Sequence, residues 1–377
     1  MVSRVMMIAG EASGDMHGAG VVRELKARRP TLEIFGIGGD QMQHEGMELV
    51  HHISSMSVMG FIEVVKHLAV IREAERDLKL LLEKRRPDVV VLIDYPEFNL
   101  RFARAVKKRA IKILYYISPQ VWAWRAGRVK KMKRLVDKMK VVFPFEVEIY
   151  RNEGIDVEWV GHPLVELIGA STTKEEFFRS HGFDLNRKLV ALFPGSRRQE
   201  LANMLPMMLE VARSLGKTHH AQVALGVAPN LGAAQVREFI SSGDRVRIVE
   251  GATYELMAHA DAAIVTSGTA TLETGWFATP MVVVYKTSRL SYLIGRALVR
   301  TKNIALVNIV LGTSVVPELL QNNMQPETVT KAVERILDDQ DYASGVRRAL
   351  MGVKTKLGPP GASSRVAQEI LELGDAA

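Results

Sequence analysis

Pro194-Gly195-Ser196-Arg197 follows an apolar run, 188–193, that reads as a buried strand, and precedes a stretch from Glu200 that reads as a helix. A strand, a tight Gly/Ser turn and a helix start direct backbone N–H groups and the positive end of a helix dipole at one spot, which suits a phosphate. Arg197 could add a permanently charged, two-pronged donor. The plainer alternative is a βα turn with a surface Arg. The run 262–266 is followed by a similar turn, Ser267-Gly268-Thr269, and a second helix start. Glu273 stands one helical turn beyond Thr269, so both can share a face. A carboxylate there can accept two hydrogen bonds from a ribose diol, or it is a solvated helix residue. Asp94 closes the β-branched run Val89–Ile93. A carboxylate at the tip of a central strand suits a general base; a cap or loop Asp is the alternative. Asn308 is the one polar residue in the apolar stretch 304–311 and must find partners if buried. It reads equally as a clamp or as a ligand contact.

Two segments look built for an amphiphile. Residues 57–68 crowd Val58, Met59 and Phe61 beside Lys66 and His67, which fits a core helix or an interfacial helix with acyl chains below and phosphates around. Trp122, Trp124, Arg125 and Arg128 open a strongly basic stretch. That mixture fits a phospholipid surface, an acyl-phosphate substrate, nucleic acid or a solvated basic helix. No recognisable nucleic-acid module accompanies it, so a nucleic-acid partner is not expected. His162, between Gly161 and Pro163, reads as structural, with a ligand contact left open by its place at a junction.

The elements that must position these residues repeat a βα rhythm twice. Apolar runs at 4–9, 33–37, 89–93, 111–117, 140–143 and 158–160 make the first set, and runs at 188–193, 221–225, 246–249, 262–266 and 281–285 make the second. Helices are expected from about His17 to Arg28, over 326–349 and over 363–373. The length of 377 residues exceeds one ordinary core. The fold class is therefore α/β, with two Rossmann-like domains facing across a cleft. The first domain spans 1–167 and the second 168–361; a C-terminal helix at 362–377 packs back on the first domain or on a partner chain. The Gly358-Pro359-Pro360-Gly361 break could serve as a hinge for such an exchange, so a homodimer is one open arrangement.

Composition narrows the chemistry. Fifty basic against 42 acidic residues give +8, which fits an anionic partner. There is no Cys, which removes disulfides and thiol chemistry. The pairs His51-His52 and His219-His220 lack ligand spacing, so no zinc is expected. The first turn is not G-x-G-x-x-G, and no nicotinamide or other cofactor is expected. Residues 5–10 read as a strand and not as a signal peptide, and no apolar run reaches the ~20 residues of a membrane span. The second domain thus suits a nucleotide-sugar donor, and the first an acceptor bearing phosphate and lipid.

Taken in order, Gly10-Glu11-Ala12-Ser13-Gly14-Asp15, Val58-Met59-Gly60, Ile93–Asn99, Ser118–Arg125, Pro194-Gly195-Ser196-Arg197 and Ser267–Glu273 closely resemble the lipid-A-disaccharide synthase family, over nearly the whole chain. The resemblance implies an inverting, metal-independent GT-B glycosyltransferase, peripheral on the cytoplasmic side of the inner membrane of Gram-negative bacteria. It implies transfer of 2,3-diacylglucosamine from UDP to 2,3-diacylglucosamine 1-phosphate. By motif position, Asp94 would be the base for the acceptor hydroxyl, with Glu97 a competitor. Arg197 would neutralise the departing diphosphate, Glu273 would bind ribose, Asn308 would line the donor site, and Glu11 would be an acid on the acceptor side. Rival readings are a sugar-nucleotide 2-epimerase of the same fold and a non-enzymatic lipid-binding protein.

Overall fold

The structure is a computed structural model that describes residues 1–56, 63–119, 121, 127–287 and 302–376, with backbone alone at 56 and 63–68. The chain forms two units, Met1–Glu166 with Leu357–Ala377, and Leu167–Lys356.

The first unit is built on seven parallel strands: β1 (Arg4–Ala9), β2 (Glu33–Gly38), β3 (Glu48–His52), β4 (Val89–Ile93), β5 (Lys112–Tyr116), β6 (Lys138–Val141) and β7 (Val157–Trp159). Their order across the sheet is β3-β2-β1-β4-β5-β6-β7. β4 is buried along its whole length and β1 from Val5 on, because helices cover both faces, hence their continuous apolar sequences. Met6, Ile8, Val90 and Leu92 pack with Ala74, Leu78, Phe98 and Phe102 from the helices Glu63–Lys84 and Pro96–Lys107. The helices Ala12–Arg28 and Ala362–Asp375 lie together, and Gly374 sits against Val89.

The second unit has six parallel strands: β8 (Leu189–Phe193), β9 (Gln222–Gly226), β10 (Val246–Val249), β11 (Ala262–Thr266), β12 (Met281–Tyr285) and β13 (Glu318–Leu320). Their order is β10-β9-β8-β11-β12-β13. In both sheets the winding reverses beside the first strand, between β1 and β4 and between β8 and β11. Ligands of open α/β sheets bind at the carboxyl ends of the two strands that flank such a reversal.

Two edge strands, β3 and β13, were not expected. Glu48-Leu49-Val50-His51-His52 and Glu318-Leu319-Leu320 are too short and too polar to stand out, and pair only because a neighbouring edge is open to them. The helix expected over 326–349 is two helices, Pro326–Asp338 and Gln340–Leu350. Asp339 breaks it by capping the second, its Oδ1 accepting from Tyr342 N at 2.9 Å. Residues 57–62, with Val58, Met59 and Phe61, lie outside the described residues, as do Trp122, Trp124 and Arg125. Among the described residues no helix is long and apolar enough to cross a membrane.

The C-terminal helix packs on its own first unit. Glu166 accepts hydrogen bonds from Gly361 N (3.1 Å), Ser363 N (2.9 Å) and Ser363 Oγ (2.6 Å), so one carboxylate caps the returning helix. Glu166→Ala is expected to cost about 1–3 kcal/mol of local stability. Amide hydrogen exchange should accelerate across 362–375 and stay unchanged in β9.

Candidate functional site

Asp94 is the first residue past β4, and Tyr95 the next. Both have left-handed backbone, with φ of 45° and 44°. That conformation costs a non-glycine residue about 1–3 kcal/mol, so it must be held. Asp94 N–H donates to Tyr116 O at 3.1 Å. The Asp94 carbonyl accepts from Asn99 Nδ2 at 2.7 Å and from the Tyr115 hydroxyl at 2.6 Å. Asn99 Nδ2 also donates to Ile93 O at 3.2 Å, and both Asn99 and Tyr115 are fully buried. The Tyr95 ring lies where a side chain on Gly10 would stand, which makes that glycine of the β1 turn obligatory. Pro96 then starts the next helix at its first turn.

The turn leaves the Asp94 carboxyl half-buried, with its pKa pushed up to about 6 by burial first and then by the negative charge of Glu11, against a lowering hydrogen bond from the Tyr95 N–H. Glu11 stands at the end of β1 as the residue before the helix Ala12–Arg28. Asp94 and Glu11 therefore flank the β1/β4 reversal, close enough to feel one another. A carboxylate that releases its proton near neutrality is matched to base catalysis.

Asp15, the last residue of the Gly10–Asp15 motif, is buried and caps the helix Asp40–His44, accepting from Gly39 N at 2.7 Å and Met42 N at 3.1 Å. His162 is structural: it is buried, its Nδ1 accepts from Leu164 N at 3.2 Å, and its ring meets His17 edge-on at 6.0 Å.

Glu97 forms an ion pair with Arg128, whose own side chain is only 10% exposed. Both line a groove of about 560 Å³ with Pro96, Leu100, Arg104, Lys131 and Leu135. Half-buried Leu100 and Leu135 supply apolar surface between exposed cations.

In the second unit Pro194-Gly195-Ser196-Arg197 leaves β8. Gly195 has φ of 114°, and a side chain there would come within 2.6 Å of Glu200 Cβ. Asn230 Nδ2 donates to Ser196 O at 2.7 Å, tying this turn to the loop after β9. Arg197 precedes the helix Arg198–Thr218 and is 56% exposed. Ser267, Gly268 and Thr269 leave β11, across the reversal from β8. Ser267 Oγ donates to Ile304 O at 3.2 Å, and a side chain on Gly268 would meet nothing within 4 Å. Glu273 is half-buried on the helix Thr269–Trp276; burial pushes its pKa up to about 7, opposed by a long hydrogen bond from the Tyr254 hydroxyl at 3.5 Å.

Asn308 is a clamp. It is fully buried, its Nδ2 donates to Val316 O at 2.9 Å and Glu318 Oε1 at 2.8 Å, and its Oδ1 accepts from Val315 N and Val316 N. Every polar atom of the amide is engaged by Val315, Val316 and Glu318, which supports the clamp alternative. Glu318 completes the clamp by accepting from Ile304 N and Ala305 N.

Two doubly wound parallel sheets with loops at both reversals define the GT-B class. Solved structures of that fold match along the whole chain. They include a UDP-GlcNAc 2-epimerase from Neisseria meningitidis bound to UDP-GlcNAc (TM-score 0.66, 13% identity, 98% of this chain and 100% of that one). MurG from Acinetobacter baumannii matches with TM-score 0.61 at 12% identity, over 99% and 100% of the two chains. At such identities they speak for the fold alone. A family model described as lipid-A-disaccharide synthetase matches residues 5–357. The lipid-A-disaccharide synthase of Geobacter sulfurreducens is 45% identical over 98% of this chain and 97% of that one, and the one from Syntrophus aciditrophicus is 44% identical with the same coverage. The chain belongs to the lipid-A-disaccharide synthase family, and is a glycosyltransferase of lipid A biosynthesis. The resemblance and the fold expected from the sequence are thereby shown, and the epimerase reading is set aside.

On the expectation that Glu273 accepts from a ribose diol, a carboxylate with a pKa raised to about 7 does so best when ionised, so affinity for UDP should rise with pH through 7 and level above it. Glu273→Gln should bind UDP roughly tenfold more weakly at pH 8 and lose that rise. Calorimetric titration of both proteins between pH 6 and 8.5 checks this. Their difference cancels the titration of the nucleotide's own terminal phosphate.

Proposed function

We propose that the enzyme transfers 2,3-diacylglucosamine from its UDP derivative to the 6-hydroxyl of 2,3-diacylglucosamine 1-phosphate, with inversion at the anomeric carbon and without a metal ion. Asp94 takes the hydroxyl proton as the oxygen attacks the anomeric carbon from the face opposite UDP. The bond from that carbon to the diphosphate oxygen breaks, and the electron pair leaves with UDP. Arg197, the Ser196 N–H and the start of the helix Arg198–Thr218 take up the departing charge, and Ser267, Gly268 and Thr269 bring a second helix start to the donor. Glu273 holds the ribose. Glu11 keeps Asp94 basic enough to act near neutrality.

The observation that carries this reading is the raised pKa of Asp94 at the β1/β4 reversal, in a family whose relatives are named for making a lipid A disaccharide. Glu97 is the weaker candidate for the base, because Arg128 holds its carboxylate. Asp94→Asn should retain UDP binding and lower UDP release from the diacylated pair by about 10³-fold or more, the upper range for loss of a general base. In the wild type, kcat/KM should rise with pH through about 6. Unchanged turnover in the variant would move the base to Glu97 or Glu11.

The same reading makes the protein a peripheral one on the inner membrane. The groove beside Arg128 supports it: apolar residues between exposed Arg104 and Lys131 suit an anionic lipid surface. Arg104→Gln with Lys131→Gln should weaken binding to phosphatidylglycerol vesicles roughly tenfold or more at low salt, and leave UDP affinity unchanged. Undiminished vesicle binding would remove the groove from the membrane face.

A further inference from the structure

The proposed diphosphate seat already contains an anion, and it belongs to the chain. Glu200 lies in the first turn of the helix Arg198–Thr218. Its Oε2 accepts from the Ser196 N–H at 2.8 Å, and its Oε1 is 3.4 Å from Arg197 Nη1. The side chain folds back over Gly195, whose missing Cβ makes the room. Glu200 is 20% exposed, so this is a partly desolvated arrangement and not a fully solvated surface pair. A carboxylate reaching back from the third helical position to an N–H ahead of the helix is a capping device. Here, however, the donors it occupies are two that the transferred charge needs.

We propose that Glu200 is a built-in competitor for the diphosphate site, a positioning residue that holds Ser196 and Arg197 in place when the site is empty and helps displace the nucleoside diphosphate after transfer. The inference rests on the reading that this turn binds the diphosphate. A diphosphate cannot share the Ser196 N–H with a carboxylate at 2.8 Å, and two like charges on one N–H repel. Donor binding therefore requires Glu200 to let go. The same carboxylate is then at hand to retake Arg197 and the N–H when the product must leave. Without such a competitor, a site complementary to the leaving diphosphate would hold its product too well, and release would limit turnover.

Glu200→Gln separates charge from shape, because an amide oxygen can still accept from the Ser196 N–H while carrying no charge toward Arg197 or the nucleotide. UDP affinity of the wild type, Glu200→Gln and Arg197→Ala is measured by calorimetry, with UDP inhibition of turnover alongside. The expected result is UDP binding about three- to tenfold tighter in Glu200→Gln, with stronger product inhibition and a lower kcat. In Arg197→Ala binding should be at least tenfold weaker. Weaker or unchanged UDP binding in Glu200→Gln, with Arg197→Ala still impaired, would overturn the competitor role and leave Glu200 a cap. Unchanged binding in Arg197→Ala would instead overturn the assignment of the turn to the diphosphate. Thermal denaturation of Glu200→Gln distinguishes a loosened helix start, which would lower Tm, from the charge effect, which would not.

Discussion

Two consecutive residues in left-handed backbone, Asp94 and Tyr95, are the constraint around which the reactive end of the first unit is arranged. Neither is glycine, so the turn would relax if left alone. Two buried side chains oppose that relaxation through two successive carbonyls: Asn99 holds both Ile93 O and Asp94 O, and Tyr115 holds Asp94 O from the neighbouring strand. Net contributions of about 0.5–1.5 kcal/mol per bond are of the same order as the strain. The Tyr95 ring then stacks toward Phe98, at 5.8 Å, and covers Gly10. Because the carbonyl is fixed, the carboxyl of Asp94 is held half-buried beside Glu11, and both causes of its raised pKa follow from that placement.

The two units use their strand-end loops in opposite electrostatic senses. At the β1/β4 reversal the chain places Asp94 and Glu11, and the charge of Glu11 makes Asp94 harder to ionise. At the β8/β11 reversal it places two helix starts, an Arg and small residues, a site that welcomes negative charge. Glycosyl transfer needs that division. The attacking oxygen must lose a proton, while the leaving group must gain a stable place for its electrons. Glu200 and Glu273 are the acids set among these anion-favouring helix starts, and burial raises the Glu273 carboxyl to about 7.

Much of this was legible in the sequence. Strands β1, β4, β8 and β11, which flank the reversals, are continuous apolar runs, and the residues after them were singled out by type. The supports were not legible. Asn99 holds Asp94 only because the turn is left-handed, and nothing in its spacing announces that. Tyr115 comes from another strand, and its role depends on sheet order. Glu200 reads as an ordinary first-turn acid, and only the folded-back side chain reveals its hold on Ser196. Asn308 shows the limit most plainly. Its isolation among apolar residues marked it for a purpose, but whether its amide faced a ligand or its own loop depended on Glu318 and Val316, which the linear pattern does not bring near it.

The solved structures that match at 12–16% identity share the fold and little sequence, so the fold by itself does not set the reaction. What a doubly wound sheet does fix is where loops of different chemistry can be brought together, at the reversals. In the first unit the loops at the reversal bring together the strained Asp94-Tyr95 turn, the Gly10 that lets Tyr95 close over it, and the groove along the helix Pro96–Lys107. That helix begins one residue after Tyr95 and carries Glu97, Leu100 and Arg104 into the groove lining. On the proposed reading, the base and the lipid-facing groove would be linked by this one helix. A head group held near Arg104 and a sugar hydroxyl brought to Asp94 would share one helix as their ruler, and about 1.5 Å per residue sets the distance between them.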